Sequence, residues 1–200
     1  MALPREVENL LRKQSGRIIK ESYEKRILLS FNNLKRQMIS EFADHPISQE
    51  ILMGPDAPNL SGTLGGYGNL FSYIGFYAGD TPLDPVVKLL EKTTIRFSGF
   101  IDDGATWNIF LPTKEDVWDV TPMPWAPGRS WAKGIETGIS GVGYYLYLEK
   151  DIPQSRSEAA IQLKNKLRSK ARFKNTRYIS AILAKYEKLF SQLDETAIST

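Results

Sequence analysis

Apolar residues return at Ile19, Tyr23, Ile27, Phe31, Leu34, Met38 and Phe42, at intervals of four, four, four, three, four and four. That rhythm lays one apolar stripe along a helix of about seven turns. Ser15 and Gly16 weaken its start, so the pattern predicts a looser helical turn over Pro4–Gln14 before a long helix from Arg17 to Phe42. The stripe needs a partner, and the chain's own sheet is the expected one. Asp44 ahead of Pro46 reads as the cap of a short helix reaching Met53, which Gly54-Pro55 then stops.

Residues 54–69 are rich in Gly, Pro, Asn, Asp and Ser and read as loop. Asn69–Phe76 reads as a strand, and Pro85 opens a short helix through Leu90. Thr93–Ile101 and Ala105–Leu111 flank Asp102-Asp103-Gly104, a strong hairpin signal. Lys114–Val120 is a short helix or turn, followed by the proline-rich TPMPWAPG. Arg129–Thr137 suits a helix ended by Gly138, and Gly143–Leu148 is strand-like. Alternation over Ile161–Leu167 favours a strand, although Ser157–Ala160 would start a helix well. Asn175 or Thr176 can cap a last helix whose apolar face holds Ile179, Ile182, Leu183, Tyr186, Leu189, Phe190 and Leu193. The expected fold is α+β: a long amphipathic helix, a small mixed or antiparallel sheet with a hairpin, and a C-terminal amphipathic helix. One domain of 200 residues is expected, divided into a helical region (1–43), sheet and loops (54–150), and a basic strand or arm with the last helix (156–200). No internal repeat or low-complexity segment interrupts it.

Charge changes this picture. The net charge is +3, yet residues 1–43 carry 9 basic and 5 acidic side chains, residues 44–155 carry 7 and 14, and residues 156–200 carry 10 and 4. A basic, acidic, basic layout favours head-to-tail contact between copies or one face against a polyanion; solvated faces that happen to segregate are the plain alternative. There is no cysteine, hence no disulfide and no thiolate metal site. The opening MALPREVENLLRKQ lacks the apolar core of a signal peptide, and no apolar run approaches the roughly 18 residues of a membrane span. A protein kept in the cytoplasm, or built into a particle assembled there, is expected.

The stretch SGTLGGYGNLFSYIGF, Ser61 to Phe76, is the obvious candidate for a phosphate loop. Such a loop needs a Gly-Lys-Ser/Thr ending, or a preceding strand and a following helix whose N-terminus meets the phosphate. No lysine or arginine lies between Met53 and Lys88, loop precedes the stretch, and a strand is expected after it. Its glycines are better explained by tight backbone paths, with Gly65 and Gly66 as places where another backbone approaches: the long helix, or a second copy. His45 is the single histidine, without metal-ligand spacing around it, and is expected to serve the helix junction with Asp44. Asp102 and Asp103 read as turn chemistry, and Glu115, Asp116 and Asp119 as a solvated face supporting a helix N-terminus. No Ser sits in a G-x-S-x-G elbow, so neither catalysis nor a cofactor or metal is expected. A small enzyme acting through Asp102, Asp103 or Glu136 is the third-ranked reading.

Lys164, Lys166, Arg168, Lys170, Arg172, Lys174 and Arg177 place positive charge nearly every second residue, beside Phe173 and Tyr178. Such an arm can track a phosphate backbone, giving affinity without sequence readout. An edge strand protected from aggregation by lysines has the same composition. A nucleic-acid-binding module using residues 164–177 is thus the second reading. Among the tryptophans, Trp107 is expected in the chain's own core, and Trp125, held between two prolines, is the candidate subunit anchor.

In order along the chain stand a long basic amphipathic helix (Arg17–Phe42), Ser61-Gly-Thr-Leu64 with the following Asn69–Phe76, Trp131-Ala-Lys-Gly-Ile135-Glu136-Thr-Gly138, and Tyr178-Ile179 with Ala181-Ile182-Leu183. Together they resemble the neck or tail-completion proteins of tailed bacteriophages, small virion subunits between the head's portal and the tail. The IDDG hairpin and TPMPWAPG are elaborations on that pattern. The resemblance implies a small antiparallel or mixed sheet with helices on one face, no enzymatic activity, no cofactor and a virion location. It also implies a ring, most often of six copies, that contacts other neck and tail proteins around the DNA passage and no membrane. Trp131 and Glu136, beside Trp125, Gly65 and Gly66, are the subunit contacts it suggests.

Overall fold

The computed structural model describes residues 5–64, 68–101, 104–138, 145–148, 160–163 and 173–193. The chain is α+β, opening with α1 (Arg5–Asp44), an unbroken helix of 40 residues and therefore about 60 Å long. The break expected near Ser15-Gly16 is not there. A single glycine costs about 1 kcal/mol in a helix, and the Leu, Arg, Lys and Glu around it are good helix formers. Ile27, Phe31, Met38 and Phe42 face the core and are buried, whereas Tyr23 is exposed.

The apolar stripe finds helices more than the expected sheet. Its main partner is α7 (Ile179–Ser191), with the Phe31 and Phe190 rings 5.4 Å apart. A second is α4 (Asp84–Glu91), tied to α1 by the Lys35 ammonium, which donates to the backbone carbonyls of Glu91 and Thr93. A hairpin of β1 (Thr94–Ile101) and β2 (Gly104–Phe110) lies alongside, antiparallel, with a bulge between Phe97 and Gly99.

α2 (Pro46–Leu52) is capped by His45 instead of the expected Asp44: the imidazole Nδ1 accepts from the Ile47 N–H at 3.2 Å. Asp44 is instead the last residue of α1, where its carboxylate accepts from the Ser40 hydroxyl. A 3-10 turn follows at Gly54–Asp56. The strand expected over Asn69–Phe76 is a short helix, α3 (Leu70–Ile74). Asn69 caps it by accepting from the Ser72 N–H, and Gly75 ends it with φ near 87°, a left-handed conformation that glycine adopts without cost. All five residues of α3 are buried, so no polar face shows a helical period and the run reads as a strand.

Beyond the hairpin come α5 (Lys114–Asp119), β3 (Pro122–Met123), β4 (Ala126–Ser130) and α6 (Trp131–Thr137). Arg129 and Ser130, expected to begin a helix, belong to β4. β5 (Tyr145–Leu148) and β6 (Ala160–Leu163) complete the set. The described strands form three separate two-stranded antiparallel sheets, β1–β2, β3–β4 and β5–β6, rather than a single one. None is large enough to carry the fold alone. The hydrophobic core therefore sits among the helices α1 to α7, with α5 contributing Val117.

Candidate functional site

The glycine-rich stretch is held from α2. Ile47, Glu50 and Ile51 fall on one face of that helix, and all three are buried. The two carboxylate oxygens of Glu50 accept from the Ser61 N–H at 2.8 Å and the Leu70 N–H at 2.7 Å. One buried carboxylate thus fixes both ends of a ten-residue segment. Asn69 adds hydrogen bonds to the carbonyls of Pro55 and Ala57, Asn59 donates to the Gly68 carbonyl, and the Thr63 carbonyl accepts from the Lys174 N–H. The backbone amides at Ser61 and Leu70 that an anion would need are spent on Glu50. Gly65 and Gly66 lie outside the described residues.

A second hold joins α2 to the start of α7. Tyr178 is fully buried; its phenol meets the Ser48 hydroxyl, and that hydroxyl donates to the Phe42 carbonyl. The Tyr178 ring lies 5.7 Å from Phe42 and 4.7 Å from His45. Burial drives the Tyr178 phenol far above its ordinary pKa, so it stays protonated and donates. Burial also lowers the His45 pKa, with the Glu41 carboxylate partly opposing. Glu41 accepts from Lys185 at 2.6 Å and from the Tyr186 phenol at 2.9 Å. The Lys185 hydrogen bond holds the Glu41 carboxyl below the usual range, and the Tyr186 phenol is pushed up to about 12, by burial first and then by Glu41.

The residues singled out as subunit contacts are mostly engaged inside the chain. Trp131 is buried, with its ring edge-on to Phe76 at 6.0 Å. Ala132 and Ile135 are buried beside it. Glu136 accepts from the backbone N–H groups of Tyr178 and Ser180, at 3.3 and 2.8 Å. It does the work expected of Asn175 or Thr176, since Tyr178 occupies the cap position of α7 without a side-chain cap of its own. Trp125 is half-buried, and its indole N–H donates to the Ile74 carbonyl at 2.7 Å. Asp116 forms a capping box with Thr113 on α5, and the Thr113 backbone N–H lowers its pKa. Of the basic run, Lys174 and Arg177 are exposed. Lys164, Lys166, Arg168, Lys170 and Arg172, like Asp102 and Asp103, lie outside the described residues.

The accessible apolar surface lies elsewhere. Ile18 and Leu29 on α1 are 65 % and 58 % exposed. They are eleven residues apart, about three turns, and so share a face. Ile27, buried, is nine residues from Ile18, about two and a half turns, and faces the opposite way. Leu52, Met53, Leu60, Tyr77 and Phe110 are also exposed. A groove of about 390 Å³ opens between α1, the β1–β2 hairpin and α7, lined by Ile27, Ile95, Trp107, Ile109, Phe190 and Leu193 among others. Trp107 is half-buried and packs edge-on against Phe97 at 5.2 Å, and its buried indole N–H has no acceptor among the described residues.

His45 lies at the helix junction and Asp116 at a helix start, as expected, whereas the roles of Glu50, Ser48 and Glu41 were not expected from the sequence. For Glu50 a signal existed: a carboxylate three residues after Ile47 and one before Ile51 sits on the apolar face of its helix. The tie from Ser48 to Tyr178 spans 130 residues and had none.

The fold and surface together define an α+β scaffold in which Glu50, Asp116, Glu136 and His45 accept from its own backbone N–H groups. Among the described residues, no group of three or more His, Asp or Glu side chains is placed to hold a metal ion, and no helix is long and apolar enough to cross a membrane. Compared with family models, curated proteins and solved structures, the chain finds no match in any of the three.

Proposed function

We propose that the chain is a structural subunit of the head–tail junction of a tailed bacteriophage, joining copies of itself and its neighbours into a ring around the DNA passage. The observation that carries this reading is α1: a rod of about 60 Å whose outward face bears Ile18 and Leu29 while its inward face is used from Ile27 onward. Large apolar side chains aligned on the solvent side of a rigid helix suit a protein completed by assembly. The charge layout adds orientation, with a net −7 centre between basic flanks. That Glu50, Glu136, Asp116 and His45 all accept backbone N–H groups favours a scaffold over a catalyst.

Glu136 then serves the ring indirectly by fixing α6 against the start of α7, Trp131 by packing α6 on Phe76, and Trp125 by fixing the β3–β4 turn on α3. Disruption of the gene in the encoding phage tests the proposal. The expected outcome is DNA-filled heads and separate tails by electron microscopy, restored by the wild-type chain but not by Ile18→Glu with Leu29→Glu. Normally joined, infectious particles without the protein overturn it.

A further inference from the structure

α2 is seven residues long, yet three connections meet on it: the His45 cap that starts it, the Ser48 bond to Tyr178 ahead of α7, and the Glu50 carboxylate holding both ends of the 61–70 segment. The first depends on protonation. His45 Nδ1 accepts from the Ile47 N–H, which requires a lone pair on that nitrogen and places the ring proton on Nε2. An imidazolium carries N–H on both nitrogens. Its Nδ1–H would face the Ile47 N–H, donor against donor, and the cap would be lost.

We infer that α2 is an acid-operated latch on the two ends of the glycine-rich segment: proton uptake by His45 removes the cap that starts α2, and α2 loosens its hold on Ser61, on Leu70 and on Tyr178. The step is a single protonation and needs no other reactant. A helix of two turns has little cooperative reserve, so losing its first hydrogen-bonded turn reaches Ser48 and Glu50 directly.

The surroundings of His45 set where this happens. From α1, Glu41 lies one turn back and favours the imidazolium, but its carboxylate is already shared between Lys185 and Tyr186 of α7. Asp44, adjacent, is engaged by Ser40. Ahead of α7 the Tyr178 ring covers the imidazole, and its phenol is committed to Ser48. Glu50 of α2 and Glu136 of α6 each accept two backbone N–H groups. Burial outweighs Glu41, and His45 binds its proton less readily than in the unfolded chain. The sign follows. The latch is complete above the unfolded value of about 6.5 and is lost as pH falls through the lower folded value.

His45 is the only histidine, so its imidazole resonances are unambiguous in the wild-type protein. Long-range proton–nitrogen spectra are expected to show the Nε2–H tautomer near pH 8 and a titration midpoint below 6.5. Amide exchange, corrected for intrinsic rates, is expected to show Ile47, Ser61 and Leu70 losing about tenfold or more protection at that same midpoint. Phe31 and Ile182 should stay protected. His45→Asn keeps a cap acceptor without a titrating ring and is expected to abolish the acid loss. A midpoint at or above 6.5, exchange at Ser61 and Leu70 that does not follow His45, or the same acid loss in the variant each overturns the inference. If the variant does not fold, the two wild-type midpoints decide. None of these readouts depends on ring assembly.

Discussion

Ser48 and Tyr178 differ in what they leave behind when altered. Removing the Ser48 hydroxyl leaves two buried groups, the Tyr178 phenol and the Phe42 carbonyl, without that partner. An unsatisfied buried polar group costs about 1–3 kcal/mol. Removing the phenol as Tyr178→Phe leaves Ser48 still donating to Phe42, so it should cost about 1 kcal/mol. Chemical denaturation is expected to order them Ser48→Ala below Tyr178→Phe below wild type, with the double variant close to Ser48→Ala. Losses that add in the double variant would mean that the phenol–hydroxyl contact carries little. At this scale the sequence was partly readable. The junction before Pro46 and the helix start at Asp116 were readable because caps are local chemistry, although the cap fell to His45 and not to the expected Asp44. Glu136 was not readable, because the N–H groups it captures are some 42 residues away.

Among the elements, those with two distinct faces were legible. The stripe on α1 from Ile27 onward, the α7 face and the two strands of the hairpin lie where the pattern puts them. α3 was not, since full burial erases the polar face that marks a helix; Asn69 and Gly75 at its two ends were the remaining signal. Nor does a pattern of faces name partners, and so the stripe on α1 met α7 and α4 first and the β1–β2 hairpin only second. The α1–α7 contact centres on Phe31 and Phe190, with the latter also 6.4 Å from the Tyr186 ring. Phe190→Ala should therefore cost about 3–5 kcal/mol, and Lys185→Ala, which breaks an exposed ion pair with Glu41, under about 1 kcal/mol. Thermal melts of the two variants check this. Comparable shifts in melting temperature would place the joint in electrostatics instead of packing.

For the whole molecule, the α+β class followed from the order of long helix, hairpin and last helix, while assembly depends on surfaces that a single chain's pattern marks only as exposed. Ile18 and Leu29 illustrate this: in the sequence they look like helix-compatible apolar residues, and only the packing of Ile27 reveals that they point outward. The same packing separates residues that build the scaffold, Trp131 and Glu136 among them, from those left exposed. The central claim is that this scaffold is built into a virion neck. Quantitative mass spectrometry of gradient-purified particles of a phage that carries the gene tests it most directly. The account predicts a small fixed number of copies per particle, about six for a ring of the expected kind, enriched with the tail–head joint after particle disruption. Particles that are infectious and contain none of the chain would contradict it.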